Sequence, residues 1–384
     1  VIEAPLRIGR DRALLYGTAL ILLCLTQVRF VVAQGFGDWS AFWAAGATAG
    51  TMDLLDPQRH AIWQTAHQLP TTIFPYLPAV AWLYFPFKPL SIPAGYAANF
   101  LLMSLLAALG AVIAARVYLL RLEFTMLATF AWPPVVAALS TGQNSPLGLA
   151  GAMCAVWGIA GESALIAGLS IGLLLYKFTY AVPFIVLCLL RKQWRALGVV
   201  FVCAAAWYLA SAGATAGDWL WPQHYVAALH GYFAADAQHN AVKAISLPGL
   251  LLRAGVAAPL AFCAGAALFA AALPALIRSN LLEAASFAPL VGLAANPHTQ
   301  PYDAVLALPA IVYFATHAAE PWRTRVVAAI YVLAPLWLLS GVLRFDVLAI
   351  LCDVPVLLWL LKGYDESTSR PYIGIADSGD RSQA

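Results

Sequence analysis

Charge is scarce in this sequence. Asp, Glu, Lys and Arg make up 10% of the 384 residues while 62% are hydrophobic, and the mean hydropathy is +0.79. That is more apolar surface than a water-soluble core can hide, so a soluble fold is excluded. With a net charge of only +3 and no Lys/Arg cluster interleaved with aromatics, nothing points to a nucleic-acid partner. No Cys-x-x-Cys pair occurs, and Cys24, Cys154, Cys188, Cys203, Cys263 and Cys352 all lie inside apolar runs, where they read as small buried hydrophobes. His224, His230 and His239 share no ligand spacing such as HxxxH and read as solvated loop residues. The polar loops also lack the acidic pair that Mg²⁺ or Mn²⁺ would require, so no metal and no other cofactor is expected.

What the chain has in abundance is apolar runs of spanning length. About 30 Å of hydrocarbon takes roughly 20 apolar residues as a helix, and only helices satisfy their own backbone there. The expected class is therefore an all-α integral membrane protein, with one polytopic domain over residues 1–362. Spans are expected near 13–33, 92–115, 123–140, 145–161, 162–176, 178–190, 196–214, 256–277, 281–296, 304–317, 326–343 and 347–361, about twelve in all. Val31-Val32-Ala33 resembles a signal-peptidase site, and the first run is read as an uncleaved span. With the N-terminus cytoplasmic, Arg7/Arg10/Arg12, Arg116/Arg121, Arg191/Lys192/Arg195, Arg278, Arg323/Arg325 and Lys362 all fall inside, as the positive-inside rule requires. Counting Phe74–Leu90 as a span would invert everything after it. Pro75, Pro78, Pro86 and Pro89 argue instead for a re-entrant or interfacial piece. The outer loops are then 34–91 and 215–255, both with aromatic stretches suited to the interface, and 363–384 is expected as a disordered cytoplasmic tail.

Polar groups at the edges of spans are costly unless used or paired. Under this topology Arg29, Asp38, Gln143-Asn144, Lys177 and the Asn296–Asp303 loop all reach the outer face. Asp38 opens GDWSAFWAAG, in which Trp39, Phe42 and Trp43 share one helical face suited to a helix lying in the interface. Its carboxylate is either that helix's N-cap or a general base. Lys177 interrupts LSIGLLLYKFTYAVPF and is a snorkelling lysine, a turn between two short helices, or a cation for a lipid phosphate. Gln143-Asn144 either caps a helix or touches substrate. His298 lies in the stiff polar stretch NPHTQPYD, where the alternative is a solvated loop histidine.

In order along the chain, GDWSAFW, LLDP (Leu54–Pro57), FPYLP (Phe74–Pro78), GQN (Gly142–Asn144), AGLSIGLLLYKFTYAVP (Ala167–Pro183), RKQWRA (Arg191–Ala196) and PHTQPYD (Pro297–Asp303) resemble glycosyltransferase family 87. These are polyprenol-phosphate-mannose-dependent mannosyltransferase-like membrane proteins of GT-C fold. The resemblance covers roughly residues 30–320. It implies inverting transfer of a sugar, mannose by analogy, from a polyprenyl-phosphate donor to a glycolipid or glycan hydroxyl at the extracytoplasmic face of a bacterial inner membrane. Asp38 matches the family's catalytic Asp, Lys177 the lysine near the donor phosphate, and His298 the histidine of the late outer loop. Arg29 is a second phosphate candidate on topology alone. Gln143, Asn144, Gln300, Tyr302, Asp303 and Tyr76 are candidate substrate contacts. A lipid phosphate leaves as a stable anion, so one base and cationic stabilisation suffice without a second carboxylic acid. The competing class is a transporter or flippase of a lipid-linked saccharide, which would show internal repeats and midplane ionisable groups. The sequence shows neither. Asp38, Lys177 and His298 are expected to share one cavity.

Overall fold

The computed structural model describes residues 28–29, 31–33, 36–71, 74–239, 243–317, 353–356 and 359, with the backbone alone for 231–239. Regular structure among them is entirely helical. The expected spans at 13–33, 326–343 and 347–361 and the tail at 363–384 lie wholly or largely outside the described residues, and with them the count of twelve.

The first loop carries α1 (Trp39–Thr48) and α2 (Pro57–Ala66). In the structure α1 is not a surface helix: Trp39, Phe42 and Trp43 are buried, and so are the small residues on its other faces. Small side chains make this enclosure possible. A Cβ at Gly46 would lie 2.5 Å from the Tyr84 carbonyl oxygen, and the Phe42 and Tyr84 rings stack at 4.7 Å. The LLDP motif is a helix start, because Asp56 accepts hydrogen bonds from Gln58 N (2.9 Å) and Arg59 N (3.1 Å) with Pro57 in the first turn. Prolines divide the next apolar run into one-turn pieces, Pro78–Val80, Ala81–Tyr84 and Phe85–Phe87.

Beyond it lie α3 (Ile92–Val117), α4 (Leu122–Ala131) and α5 (Pro133–Thr141). The span expected at 123–140 is thus not regular. Pro133 and Pro134 force Trp132 into an extended conformation, and α4 and α5 meet at a 63° bend. After α6 (Ser145–Ala160) come α7 (Ala164–Leu174), a 3₁₀ turn at Leu175–Lys177, α8 (Phe178–Leu190) and α9 (Trp194–Ala214). The second long loop folds as α10 (Trp221–His239) and α11 (Leu247–Arg253). Then follow α12 (Ala258–Arg278), α13 (Leu281–Ala295), a 3₁₀ segment at Pro301–Ala307 and α14 (Leu308–His317). By length and apolarity α3, the α7–α8 run, α9 and α12 can each cross a bilayer, and the bent α4–α5 pair adds a fifth candidate.

The α7–α8 run is the piece that positions the site. Its 27 residues could cross as one helix, but Lys177 sits at φ −130°, ψ 88°, outside the helical region. Packing gives the direction of each half. Gly168 lies against Ala196 and Val199, and Gly172 against Cys203, so α7 and α9 run the same way. The helix joining them, α8, therefore runs back, and Lys177 is the turn between two short helices. Beyond the far end of α8, Arg191 donates to the carbonyl oxygens of Leu276 (2.8 Å) and Ser279 at the end of α12. Helix α6 pairs with α7 through Gly158 beside Ala167 and Gly151 beside Leu174. The start of α6 is thereby level with Lys177. Helix α13, with Gly292 against the Pro183 ring, brings the 296–303 loop to the same level.

Candidate active site

Asp38 precedes α1 in helical conformation, and its carboxylate makes no bond to that helix's N–H groups. The capping alternative is thereby removed. Its Oδ2 instead accepts from Gln143 Nε2 at 2.8 Å, and Gln143 Oε1 accepts from the Tyr76 hydroxyl at 3.1 Å. The turn delivering Gln143 depends on Gly142, left-handed at φ +74°, where a Cβ would lie 2.6 Å from Trp39 Cβ. Asp38 is half-buried by surface area, but the protein crowds its carboxyl closely. Desolvation is the largest influence and raises its pKa above the ordinary carboxylate range, opposed by the Gln143 bond and by the charges of Lys243 and Lys177. Burial likewise keeps the Tyr76 hydroxyl neutral, with its pKa well above the usual value. A carboxylate held by an amide, with its pKa raised by desolvation, has the chemistry that a general base requires.

Lys177, 13% exposed, donates to Asp303 Oδ1 at 2.5 Å, and Asp303 is 1% exposed. The Tyr180 hydroxyl donates to the same oxygen, and Gln300 N donates to Asp303 Oδ2 at 2.9 Å. The ammonium also stands over the rings of Tyr180 (4.7 Å) and Tyr302 (5.3 Å). Tyr180 reaches Ser145 Oγ at 3.2 Å, and the Tyr176 hydroxyl donates to the Asn144 carbonyl oxygen at 3.0 Å, with its ring nearly parallel to that of Tyr76. The segment Gln143–Ser145 therefore ties the Asp38 half of the site to the Lys177 half. An apolar cleft of about 200 Å³, lined by Leu77, Leu175, Phe178, Trp207, Tyr208 and Trp221, borders it. Of its wall residues, Leu77 is a chain neighbour of Tyr76, and Leu175 and Phe178 are chain neighbours of Lys177.

Of the residues singled out from sequence, Asp38, Tyr76, Gln143, Lys177, Gln300, Tyr302 and Asp303 enter this assembly. Asn144 is buried beside the Tyr84 hydroxyl without good hydrogen-bond geometry, and Gln300 Nε2 is buried with no partner among the described residues. Buried amides in that condition are suited to a ligand's hydroxyls. His298 is half-buried, with its backbone N–H donating to Asn296 Oδ1 at 3.2 Å. Arg29 is exposed and takes no part in the bonds that join the others. Sequence reasoning missed Tyr176, Tyr180, Ser145 and Lys243. The spacing YKFTY, which puts aromatic hydroxyls at −1 and +3 from Lys177, and the isolation of Lys243 as the lone Lys or Arg between Arg195 and Arg253, were the available signals. Among the described residues no three His, Cys, Asp or Glu side chains group as metal ligands would.

With regular structure that is helical throughout the described residues, and with several apolar helices long enough to cross a bilayer, the chain is of the membrane-protein class. The profile of glycosyltransferase family 87 matches residues 74–297, more than half of the chain. The chain belongs to that family and is on that ground a glycosyltransferase. Comparison with curated proteins and with solved structures returned no match.

Proposed function

We propose that the protein moves a sugar, mannose as the first candidate, from a polyprenyl-phosphate donor to a hydroxyl of a glycolipid or glycan, in one inverting displacement on a GT-C type scaffold. The observation that carries the reading is the connected site itself, with the Gln143-held Asp38 carboxylate at one end and Lys177 at the other. Asp38 takes the proton of the acceptor hydroxyl as its oxygen bonds to the anomeric carbon. The bond from that carbon to the phosphate oxygen breaks, and its electron pair leaves with the lipid phosphate. Lys177 faces this developing charge, and His298 positions the acceptor or the leaving group. The cleft beside Leu77, Leu175 and Phe178 suits the lipid's hydrocarbon chain. The site faces the extracytoplasmic side of a bacterial inner membrane, with both termini cytoplasmic. The reaction needs no metal ion, so EDTA should leave it intact.

The test is transfer of radiolabelled mannose from polyprenyl-phosphate-mannose to extracted membrane glycolipids by protein in nanodiscs. Transfer by wild type and its loss in Asp38→Asn is the expected result. Transfer by both would remove Asp38 as base. Transfer by neither folded protein would refute this donor and acceptor pair and direct attention to lipid-linked saccharide transport.

A further inference from the structure

The charges around Asp38 do not balance for an anionic donor unless a residue outside the family-matched roles is counted. Asp38 acts as a base only when ionised. Lys177 already forms a pair with Asp303 at 2.5 Å, in which both side chains are largely buried, so its charge is compensated before any ligand arrives. Asp38, Asp303 and Lys177 together carry one net negative charge. A lipid-linked sugar phosphate is a diester and brings another, and its departing phosphate gains one more as the glycosidic bond breaks. Three fixed charges summing to minus one would oppose both binding and departure.

Among the described residues a further cation lies close enough to Asp38 to lower its pKa, and it is Lys243. The chain just after it is firmly held. Ala244, Ile245 and Ser246 are fully buried, and Ile245 N donates to the Thr299 carbonyl oxygen at 2.8 Å, directly beside the Gln300–Asp303 part of the site. Arg253 donates to the Ala244 carbonyl oxygen, and Gly249 lies so close that a Cβ there would be 2.6 Å from Ala244 Cβ. On the other side of the site the Tyr225 hydroxyl of α10 donates to the Pro75 carbonyl oxygen at 2.9 Å, next to Tyr76. Lys243 itself is exposed, and no hydrogen bond or ion pair joins it to another described residue. An ammonium anchored at its base and uncommitted at its tip is suited to meet a phosphate as a point charge.

We infer that Lys243 is the phosphate-engaging cation of this site, holding the donor's diester on binding and the leaving phosphate afterwards, while Lys177 stays compensated by Asp303 until the ligand competes for it. The inference rests on the phosphate-linked donor proposed above. It assigns the second long loop a direct part in substrate binding.

The test is equilibrium binding of geranylgeranyl phosphate, with uncharged geranylgeraniol as control, to full-length protein in phosphatidylcholine nanodiscs. Wild type should prefer the phosphate. Lys243→Gln should weaken phosphate binding by about tenfold or more while leaving the alcohol unchanged, since a charge-assisted bond is worth about 1.5–3 kcal/mol and 1.4 kcal/mol is tenfold. Lys243→Arg, which keeps the charge, should stay within about threefold of wild type. Equal phosphate binding by Lys243→Gln and wild type would overturn the role of Lys243 and leave the donor reading standing. Parallel weakening of phosphate and alcohol would also overturn it, as a structural effect. A wild type without preference for the phosphate would overturn the donor reading and this inference together.

Discussion

The Lys177–Asp303 pair makes a prediction in which stability and chemistry separate. Asp303→Asn keeps the shape of the side chain and one acceptor oxygen, enough for Tyr180 or for Gln300 N but not for both, and removes the charge that compensates an ammonium only 13% exposed. Two unit charges about 3 Å apart attract by roughly 5–6 kcal/mol at an effective dielectric of about 20, before desolvation is subtracted. Removing one partner of a buried pair costs about 3–5 kcal/mol, because the other charge is left buried and alone. The unfolding midpoint in nanodiscs, followed by the fluorescence of the 13 tryptophans, should therefore fall clearly for Asp303→Asn. The double variant Lys177→Met, Asp303→Asn should recover much of that loss, since no charge is then left buried alone and position 303 keeps an acceptor oxygen. Sugar transfer should be lost in the double variant even though stability returns, because Lys177 is gone. A midpoint for Asp303→Asn equal to wild type, or a double variant no more stable than the single, would refute the claim that this pair is a buried, mutually dependent unit.

Asp38→Asn should lower transfer by about 10²–10⁴-fold, as expected for loss of a general base, with little change in unfolding midpoint, because the carboxylate caps nothing. Transfer should fall on the acid side as Asp38 takes up a proton, at a pH above the ordinary Asp pKa of about 4, since burial raises its pKa; a pH–rate profile reads this directly. In Gln143→Leu the bond favouring the ionised form is lost, so the acid limb should move to still higher pH. His60 is 3% exposed and its pKa is held down at about 4, so it folds neutral. Stability should therefore be lost as pH falls from about 6.5 toward 4, by ~3 kcal/mol at most, and His60→Leu should flatten the pH dependence of the midpoint over that window. Gly142→Ala should cost more than about 1–2 kcal/mol and reduce transfer, because the left-handed backbone and the 2.6 Å approach to Trp39 both exclude a side chain.

The pattern of apolar runs determined the class of this protein, because too little charge and too much hydrocarbon leave only a bilayer as solvent. Motif order along the chain was enough to place it in its family. Local chemistry was legible as well: the prolines of Phe74–Leu90 predict a broken run, and Lys177 within a long apolar stretch already suggested a turn between two helices. Other features required the tertiary structure, since they depend on contacts between residues far apart in sequence. Periodicity put α1 at an interface, yet Gly46 admits Tyr84 and Gly95 lets α3 close on Trp39, and spacing cannot report such an approach. The bend between α4 and α5 needed the geometry at Trp132. Whether Asp38 caps its helix or faces a site was undecidable from GDW alone. In the structure the carboxylate caps nothing and accepts instead from Gln143, 105 residues away. Lys177 and Asp303, 126 residues apart, likewise form a pair only because α8 folds back beside α13. Spacing along a chain records which groups share a helix face, but a hydrogen bond or charge pair between distant segments exists only where packing brings them within about 3 Å.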